Sequence, residues 1–341
     1  MIYGITGASG VVGRRVSEIL EKRGERVLLG SRSYTDTDKE RHIDINDHDD
    51  VRSFIESCDI VINCAGPSMK TVRHLLPECI KQKKHYIDAF GWMPDLDKLQ
   101  TDDSVVVLNA GTVPGLPGIL AAYMKRYSPE ELDIYSGGLE AGSRGSLGDM
   151  LETSINGYSR PGIVVEDDRP VKQTGTLKGE DTGIDGLSAR CSVQPIITVE
   201  VEDIRNLLKY KNIKNYSIWP DENMKNTLIE GCMRYMKAIT EDERESVTED
   251  ILNKLRETGE NKTPWYRLVI KAISDFETEI IDIKTEDSSV LTAAVICHIA
   301  EMIKEHRFKP GYYRPFELAD GDRLLEEIRD AGIDLSLYGE I

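Results

Sequence analysis

The sequence predicts an α/β protein: a doubly wound parallel sheet, followed by a second α+β domain with a mixed or antiparallel sheet. Three observations carry this reading. A glycine-rich run directly follows the first β-rich stretch. Short β-rich runs then alternate with amphipathic stretches at intervals of about 20 to 30 residues, as consecutive βα units on a parallel sheet do. After Asn109 the alternation stops at a turn-rich AGTVPGLPG segment, beyond which period-two strands and longer helices are mixed.

In the first part, strands are expected at 2–6, 26–30, 42–45, 59–64, 85–88 and 105–109. Between the first two, Val12, Val16, Ile19 and Leu20 recur at helical spacing, with Arg14, Arg15, Glu21 and Lys22 facing away and Gly24 as the stop. Helices are expected at 51–56 and 71–82 by the same pattern. The domain boundary falls in the Gly/Pro cluster of residues 111–118.

Beyond it, 119–127 reads as a helix and 132–138 as a strand. Residues 142–192 are rich in Gly, Asp and Ser and read as a polar segment with one hairpin around PGIVVEDDRPV, able to act as a mobile lid. Helices are expected at 222–239 and 247–258. TPWYRLVIKAI and TEIIDIKTE alternate at period two and read as antiparallel partners with one buried face. SVLTAAVICHIAEMIKEH, from Ser288, is apolar on most of its circumference and reads as a junction helix, and a charged helix at 321–330 follows a Pro-Gly turn. The expected division is 1–115 completed by 288–341, and 116–287 as a substrate-binding and dimerisation domain.

At 341 residues the chain suits about two domains. Lys and Arg number 43 against 60 Asp and Glu, a net charge of -17 that repels a phosphate backbone, so no nucleic-acid partner is expected. With 40% hydrophobic and 30% charged residues and no long uncharged apolar run, no membrane span is expected. The start, MIYGITG, carries no secretory pattern, and the expected location is cytoplasmic. The six cysteines form no C-x-x-C pair and no metal-ligand spacing, and are read as reduced thiols with no metal site.

The strongest motif is Gly7-Ala8-Ser9-Gly10-Val11-Val12-Gly13, placed between a strand and a helix. Gly7 permits the turn, Gly10 lets backbone approach a pyrophosphate and Gly13 allows close helix packing. The free N–H groups of the helix start supply donors to the anion. This is the dinucleotide-binding pattern of a Rossmann sheet. An NAD site usually ends the second strand on a carboxylate, whereas here Leu29-Gly30 runs into Ser31-Arg32-Ser33. NADP(H) is therefore the expected cofactor, with Arg32 on the 2′-phosphate and Ser31 or Ser33 adding a hydroxyl. Cys64, Ala65, Gly66 and Pro67, at the end of the fourth strand, are expected along the ribose, and Asp44 or Asp47 beside the adenine.

CDIVINCAGPSMKTVRHLLPECIKQKKHYIDAFG, VVVLNAGTVPGLPGILA and LDIYSGGLEAG together resemble the saccharopine dehydrogenase/reductase-like family, with a weaker echo in TAAVICHIAEMI. The resemblance implies an NAD(P)-binding Rossmann domain, a mixed-sheet substrate domain that often carries the dimer contact, and reduction of an imine or the reverse oxidation. Two positions depart from the saccharopine-forming pattern: Val113 stands where an acid precedes Pro-Gly, and Glu140 stands where Pro follows Gly-Gly-Leu. The expected substrate is thus a different amino-acid-derived imine.

No G-x-S-x-G elbow or H-E-x-x-H motif offers another chemistry, and the histidines are isolated, His85 being the one at a strand start. The catalytic candidates are Asp88, just past the fifth strand, and Glu140 and Arg144 in the loop after Gly-Gly-Leu. Asp88 or Glu140 would stabilise an iminium charge, and Arg144 or Arg160 would hold a substrate carboxylate. The rival readings are a reductase of a carrier-bound thiazoline or an activated C=C bond, with a carrier protein as partner, and a non-catalytic NADP(H)-sensing scaffold. A homodimer is expected, since the strand pair at 265–286 would otherwise leave an uncovered edge.

Overall fold

The computed structural model describes residues 1–93, 96–140, 142–173 and 175–340. The chain begins with β1 (Ile2–Thr6), α1 (Val11–Lys22), β2 (Arg26–Ser31), β3 (Glu40–His42), α2 (His48–Glu56), β4 (Ile60–Asn63), α3 (Ser68–Lys81), β5 (His85–Asp88), β6 (Val105–Val107) and α4 (Leu116–Met124). Next come β7 (Glu131–Leu139), α5 (Arg144–Asn156), β8 (Ser159–Pro161), β9 (Ile163–Glu166), β10 (Arg169–Lys172), β11 (Leu177–Lys178), β12 (Ser192–Thr198), α6 (Val199–Leu208), β13 (Asn212–Trp219), α7 (Glu222–Lys237), α8 (Glu241–Gly259), β14 (Trp265–Ile273) and β15 (Thr278–Thr285). The last elements are α9 (Ser289–Glu305), β16 (Gly311–Tyr313), α10 (Pro315–Leu318), α11 (Gly321–Asp330) and β17 (Asp334–Glu340). The contacts divide the chain into two units, 1–119 with 288–327 and 120–287 with 328–341.

The first unit holds a parallel sheet in the order β3-β2-β1-β4-β5-β6-β16. Its central strands read as uninterrupted apolar runs, with Ile60, Val61 and Ile62 all fully buried, because helices cover both faces. One face packs Leu28, Val61, Tyr86 and Val106 against Val51, Phe54, Ile55, Val72, Leu75 and Leu76 of α2 and α3. Helix α1 buries Val16 and Leu20 and ends where Gly24 takes a φ of +77°. Helix α9 lies against α1: Cys297 Sγ is 3.8 Å from Val16 O, and Arg15 Nε donates to Ser289 Oγ at 2.8 Å. All six cysteines are free thiols.

The third strand stops earlier than 42–45, because Asp44 turns the chain. Its Oδ1 accepts from Asn46 N at 3.0 Å and Asn46 Nδ2 at 3.1 Å, and Asp47 then caps α2 by accepting from Asp49 N and Asp50 N. The sixth strand stops at Val107, and Asn109 sits at a φ of +62°.

The second unit is built on a mixed sheet with the path β10-β9-β13-β7-β14-β15-β17. β7 pairs parallel with β13 and antiparallel with β14, and β12 joins the antiparallel face of β13. The expected hairpin forms between β9 and β10, with Asp167 and Asp168 at φ of +48° and +60° as a tight turn requires. The long period-two pair forms as β14 and β15 in antiparallel register from Tyr266–Thr285 to Ile273–Thr278.

Three expectations are corrected here. The 142–192 segment is largely regular: Ser143 and Ser146 form a reciprocal capping box that starts α5, whose Leu147 and Leu151 join Met224, Leu228, Ile251 and Leu255 in one core cluster. Glycine and serine content hid a helix that its apolar anchors hold. The outer edge of β15 is covered within the chain by β17, so the strand pair at 265–286 requires no second copy. For the same reason residues 328–341 belong with the second unit, and the first unit's closing segment ends at 327.

Candidate functional site

The carboxyl edge of the parallel sheet gathers most of the predicted cofactor-binding residues. Gly7 has a φ of +67°, and a Cβ placed on it would lie 2.6 Å from Ala65 N, so the turn after β1 rests on the backbone after β4. A Cβ on Gly13 would stand 2.4 Å from Gly7 O, which is why helix and turn can pack so closely. A Cβ on Gly10 would meet Gly7 O alone, at 3.1 Å, and its outer side is open. Gly10 caps α1 without a side chain, leaving the N–H groups of Val11, Val12 and Gly13 aimed out of the helix start. This cradle fits a pyrophosphate. Arg14, exposed as expected, donates to Ser9 O at 2.6 Å and adds positive charge beside the turn.

Ser9, Ser31 and Ser33 form a hydroxyl chain across the ends of β1 and β2, with Oγ separations of 2.8 Å and 3.1 Å. Ser31 is buried and Ser33 exposed. Arg32 lies between them, exposed, with no ion pair among the described residues, while its carbonyl faces His42 Nδ1 at 3.0 Å. A guanidinium left unpaired beside two hydroxyls, with no carboxylate closing β2, suits a phosphate monoester. Asp44 and Asp47 are engaged locally, the first with Asn46 and the second as the α2 cap.

The loop Cys64-Ala65-Gly66-Pro67 is positioned by a buried polar network. Asn63 Oδ1 accepts from Thr6 Oγ1 at 2.7 Å and from Ala65 N at 3.1 Å. Asn63 Nδ2 donates to Thr71 Oγ1 and to Asp88 Oδ2, each at 2.8 Å. Thr71 in turn donates to Ala65 O at 3.0 Å. Every hydrogen-bonding capacity of this asparagine is used, so the loop has one conformation. Burial, then the Asp88 charge, push the Cys64 thiol well above its ordinary value, which keeps it protonated.

Asp88 is placed differently from the expected iminium partner. It is fully buried, and its Oδ2 accepts from Tyr86 OH at 2.6 Å as well as from Asn63, while Oδ1 accepts from Phe90 N at 3.1 Å and Gly91 N at 2.9 Å. Both oxygens are filled by groups of the chain itself. Burial raises its pKa, and the four hydrogen bonds oppose that rise. His85 accepts from Val105 N at 3.0 Å, and burial lowers its pKa; it joins strand starts at the opposite end of the sheet.

In the second unit, Glu140 follows β7 and is half-buried; after burial itself, its charge is the next cause raising the Tyr266 phenol. Arg144, expected in a loop, is the first residue of α5 and forms an exposed ion pair with Glu245 at 3.2 Å. Arg160 pairs with Glu202 at 3.0 Å. Both arginines therefore already have carboxylate partners. The same unit holds Asp133, 8% exposed, with Lys214 and Lys271 opposite it in register. Lys214 turns to Glu131 at 2.5 Å, and Lys271 to the carbonyls of Thr182 and Gly183 at 3.1 Å. Asp133 Oδ1 is left without a partner, and burial, then the Glu131 charge, push the acid up to about 7.

Asn63, Thr6 and Thr71 are site residues that sequence reading did not single out; no motif distinguishes a network asparagine from a strand-end one. Asn109 is another, buried at the end of β6.

Comparison with known proteins agrees with this geometry. Residues 4–84 match the model of the NAD dependent epimerase/dehydratase family. No curated protein sequence matches the chain. Among solved structures, saccharopine dehydrogenase (L-Glu forming) from Saccharomyces cerevisiae, in its apo histidine-tagged form, is similar over 100% of both chains at 13% identity and a TM-score of 0.68. A substituted meso-dapdh from Clostridium tetani E88, crystallised with DAP, matches over 96% of this chain and 98% of its own at 13% identity, with a TM-score of 0.49. An engineered D-amino acid dehydrogenase bound to NADP+ matches over 97% and 98% at 14% identity, with a TM-score of 0.46. At such identities the likeness is one of fold, and the full-length superposition on the yeast enzyme carries it. The chain has a saccharopine dehydrogenase-like fold built on a Rossmann unit of the NAD(P)-binding type.

Proposed function

We propose that the protein is an NADP(H)-dependent oxidoreductase that reduces the C=N bond of an amino-acid-derived imine. The observation that carries the cofactor half is the glycine cradle at α1 together with the unpaired Arg32 and the hydroxyls of Ser31 and Ser33 at the end of β2. The fold of the yeast enzyme supports the reaction class. NADPH, when bound, would supply a hydride to the carbon of the protonated imine, whose C=N π pair would become the lone pair of the amine nitrogen, leaving NADP+. The chain's part is to hold the dinucleotide along the carboxyl edge and to fix the Cys64–Pro67 backbone through Asn63 and Thr71. A protonated imine is already electrophilic, so the reaction proceeds without a strong protein acid, in keeping with the filled Asp88 carboxylate.

The test is a fluorescence titration with NADPH and NADH on the wild type and Arg32→Ala, followed by NADPH oxidation across amine and carbonyl pairs. NADPH binding weakened about tenfold or more by the substitution, with NADH unchanged, supports the phosphate reading. Equal binding of both nucleotides by the wild type sinks it. The locked Asp88 and the paired Arg144 and Arg160 favour a second reading, an NADP(H)-sensing scaffold; tight NADPH binding with no turnover on any imine would select it.

A further inference from the structure

At the carboxyl edge of the parallel sheet, the network above leaves the buried carboxamide of Asn109 unused. Asn109 is 5% exposed, and its Oδ1 is fully buried with no hydrogen-bond partner. No described residue accepts from its Nδ2 either. A buried acceptor without a donor is costly, and such groups in folded proteins call for an explanation.

The backbone around Asn109 is held on several sides. Its φ is +62°, a conformation that few residues with a side chain adopt, asparagine being among them. Ala110 N donates to Asp88 O at 2.9 Å, continuing the strand pairing past β5. Gly115 comes so near that a Cβ on it would lie 2.3 Å from Asn109 O. Thr112 anchors the following turn through Ser288 O at 2.7 Å and Thr292 Oγ1 at 2.8 Å. Strain maintained by this many contacts, around a side chain that bonds to nothing, marks a ligand position.

We propose that Asn109 binds the carboxamide of the cofactor's nicotinamide ring, its Oδ1 accepting from the ligand NH2 and its Nδ2 donating to the ligand carbonyl. This rests on the NADP(H) reading above and adds a residue to it. Two facts select the ligand group. An unpaired acceptor beside an unpaired donor is complementary to another primary carboxamide. The position matches as well: in a doubly wound sheet the two mononucleotide halves lie over the two βαβαβ halves, and β6 belongs to the half remote from the Ser31–Ser33 loop. With the 2′-phosphate end at β2 and the pyrophosphate at α1, the group that reaches β6 is the nicotinamide. The ring face offered to substrate would then be set by the Asn109 amide plane.

The test compares two ligands on the wild type and on Asn109→Gly, which removes the amide while suiting a positive φ, with a thermal melt to establish that the variant is folded. The ligands are NADPH and 2′-phospho-ADP-ribose, which keeps every part of NADP except the nicotinamide. NADPH binding is expected to weaken roughly tenfold, the loss of one or two hydrogen bonds, with 2′-phospho-ADP-ribose unchanged. The 3-acetylpyridine analogue of NADP, which has no amide N–H, should bind the wild type more weakly than NADP and lose less on substitution. Equal weakening of both ligands would make Asn109 a structural residue and overturn the proposal, as would no weakening of either. A wild type that binds neither ligand would overturn the cofactor reading itself, so the two failures are distinct.

Discussion

Asn63 Nδ2 lies 2.8 Å from Asp88 Oδ2, joining two residues that stand opposite one another in the register of β4 and β5. The bond ties the loop that runs along the candidate cofactor site to a carboxylate that is itself filled by Tyr86 and by the backbone of Phe90 and Gly91. Asp88 is therefore linked to that loop through Asn63, and a positioning role is the expectation to test.

Asp88→Asn should reveal this role. Its new NH2 would face donors where the carboxylate accepted, at a cost of about 1–3 kcal/mol. A lowered midpoint in urea with NADPH bound more weakly is expected. Unchanged stability with lost turnover would instead restore Asp88 as the partner of the iminium charge that its sequence position first indicated.

Gly13→Ala should disrupt the cradle, since the added Cβ would stand 2.4 Å from Gly7 O and 2.8 Å from Ala8 Cα. Overpacking of backbone costs about 1–3 kcal/mol, and nucleotide affinity should fall more than stability does. Gly24→Ala is the control, because nothing lies within 4 Å of its Cβ and only the φ of +77° is strained. Nucleotide titration of both variants checks the contrast; equal effects would mean that packing at Gly13 is unrelated to binding.

Asp133 gives a pH dependence with a definite sign. Its folded pKa, about 7, exceeds the ordinary 3.8, so the folded state holds a proton that the unfolded state releases. Its contribution to stability is full below pH ~4 and is lost as pH rises toward 7, by an amount on the order of 1–4 kcal/mol. Glu131, Lys214, Lys271, Tyr135 and Tyr216 surround it. Asp133→Asn has no such proton, and urea unfolding from pH 4.5 to 7.5 should show wild type losing ground to the variant. Parallel profiles would place the acid's pKa elsewhere.

Arg267 and Asp282 form a buried two-point ion pair across β14 and β15, at 2.8 Å and 2.6 Å, with Arg267 also donating to Asp185 O at 2.6 Å. Arg267→Met leaves the carboxylate buried with Lys284, at 3.3 Å, as its one ion-pair partner among the described residues, and should cost about 3–5 kcal/mol. The double variant with Asp282→Leu should recover much of that loss in the same unfolding assay, and a cost that adds instead would mean that the pair is not coupled.

The sequence by itself determined the Rossmann unit. Its strands are buried on both faces and read as continuous apolar runs, and Gly7 and Gly13 stand where the turn has no room for a Cβ. These signals are local, carried within one βα unit. The α5 helix was hidden, because its hold is the long-range cluster of Leu147 and Leu151 with Met224 and Ile251. The partner of β15 was hidden too, since β17 lies some fifty residues further along the chain. At the candidate site, residue types were legible and their free or engaged state was not. Asp88 ends β5 and Asn109 follows β6 in the same sheet, yet one carboxylate accepts four hydrogen bonds and the other side chain's Oδ1 accepts none. That difference comes from which donors the neighbouring strands and loops bring within reach, and only the tertiary structure decides it.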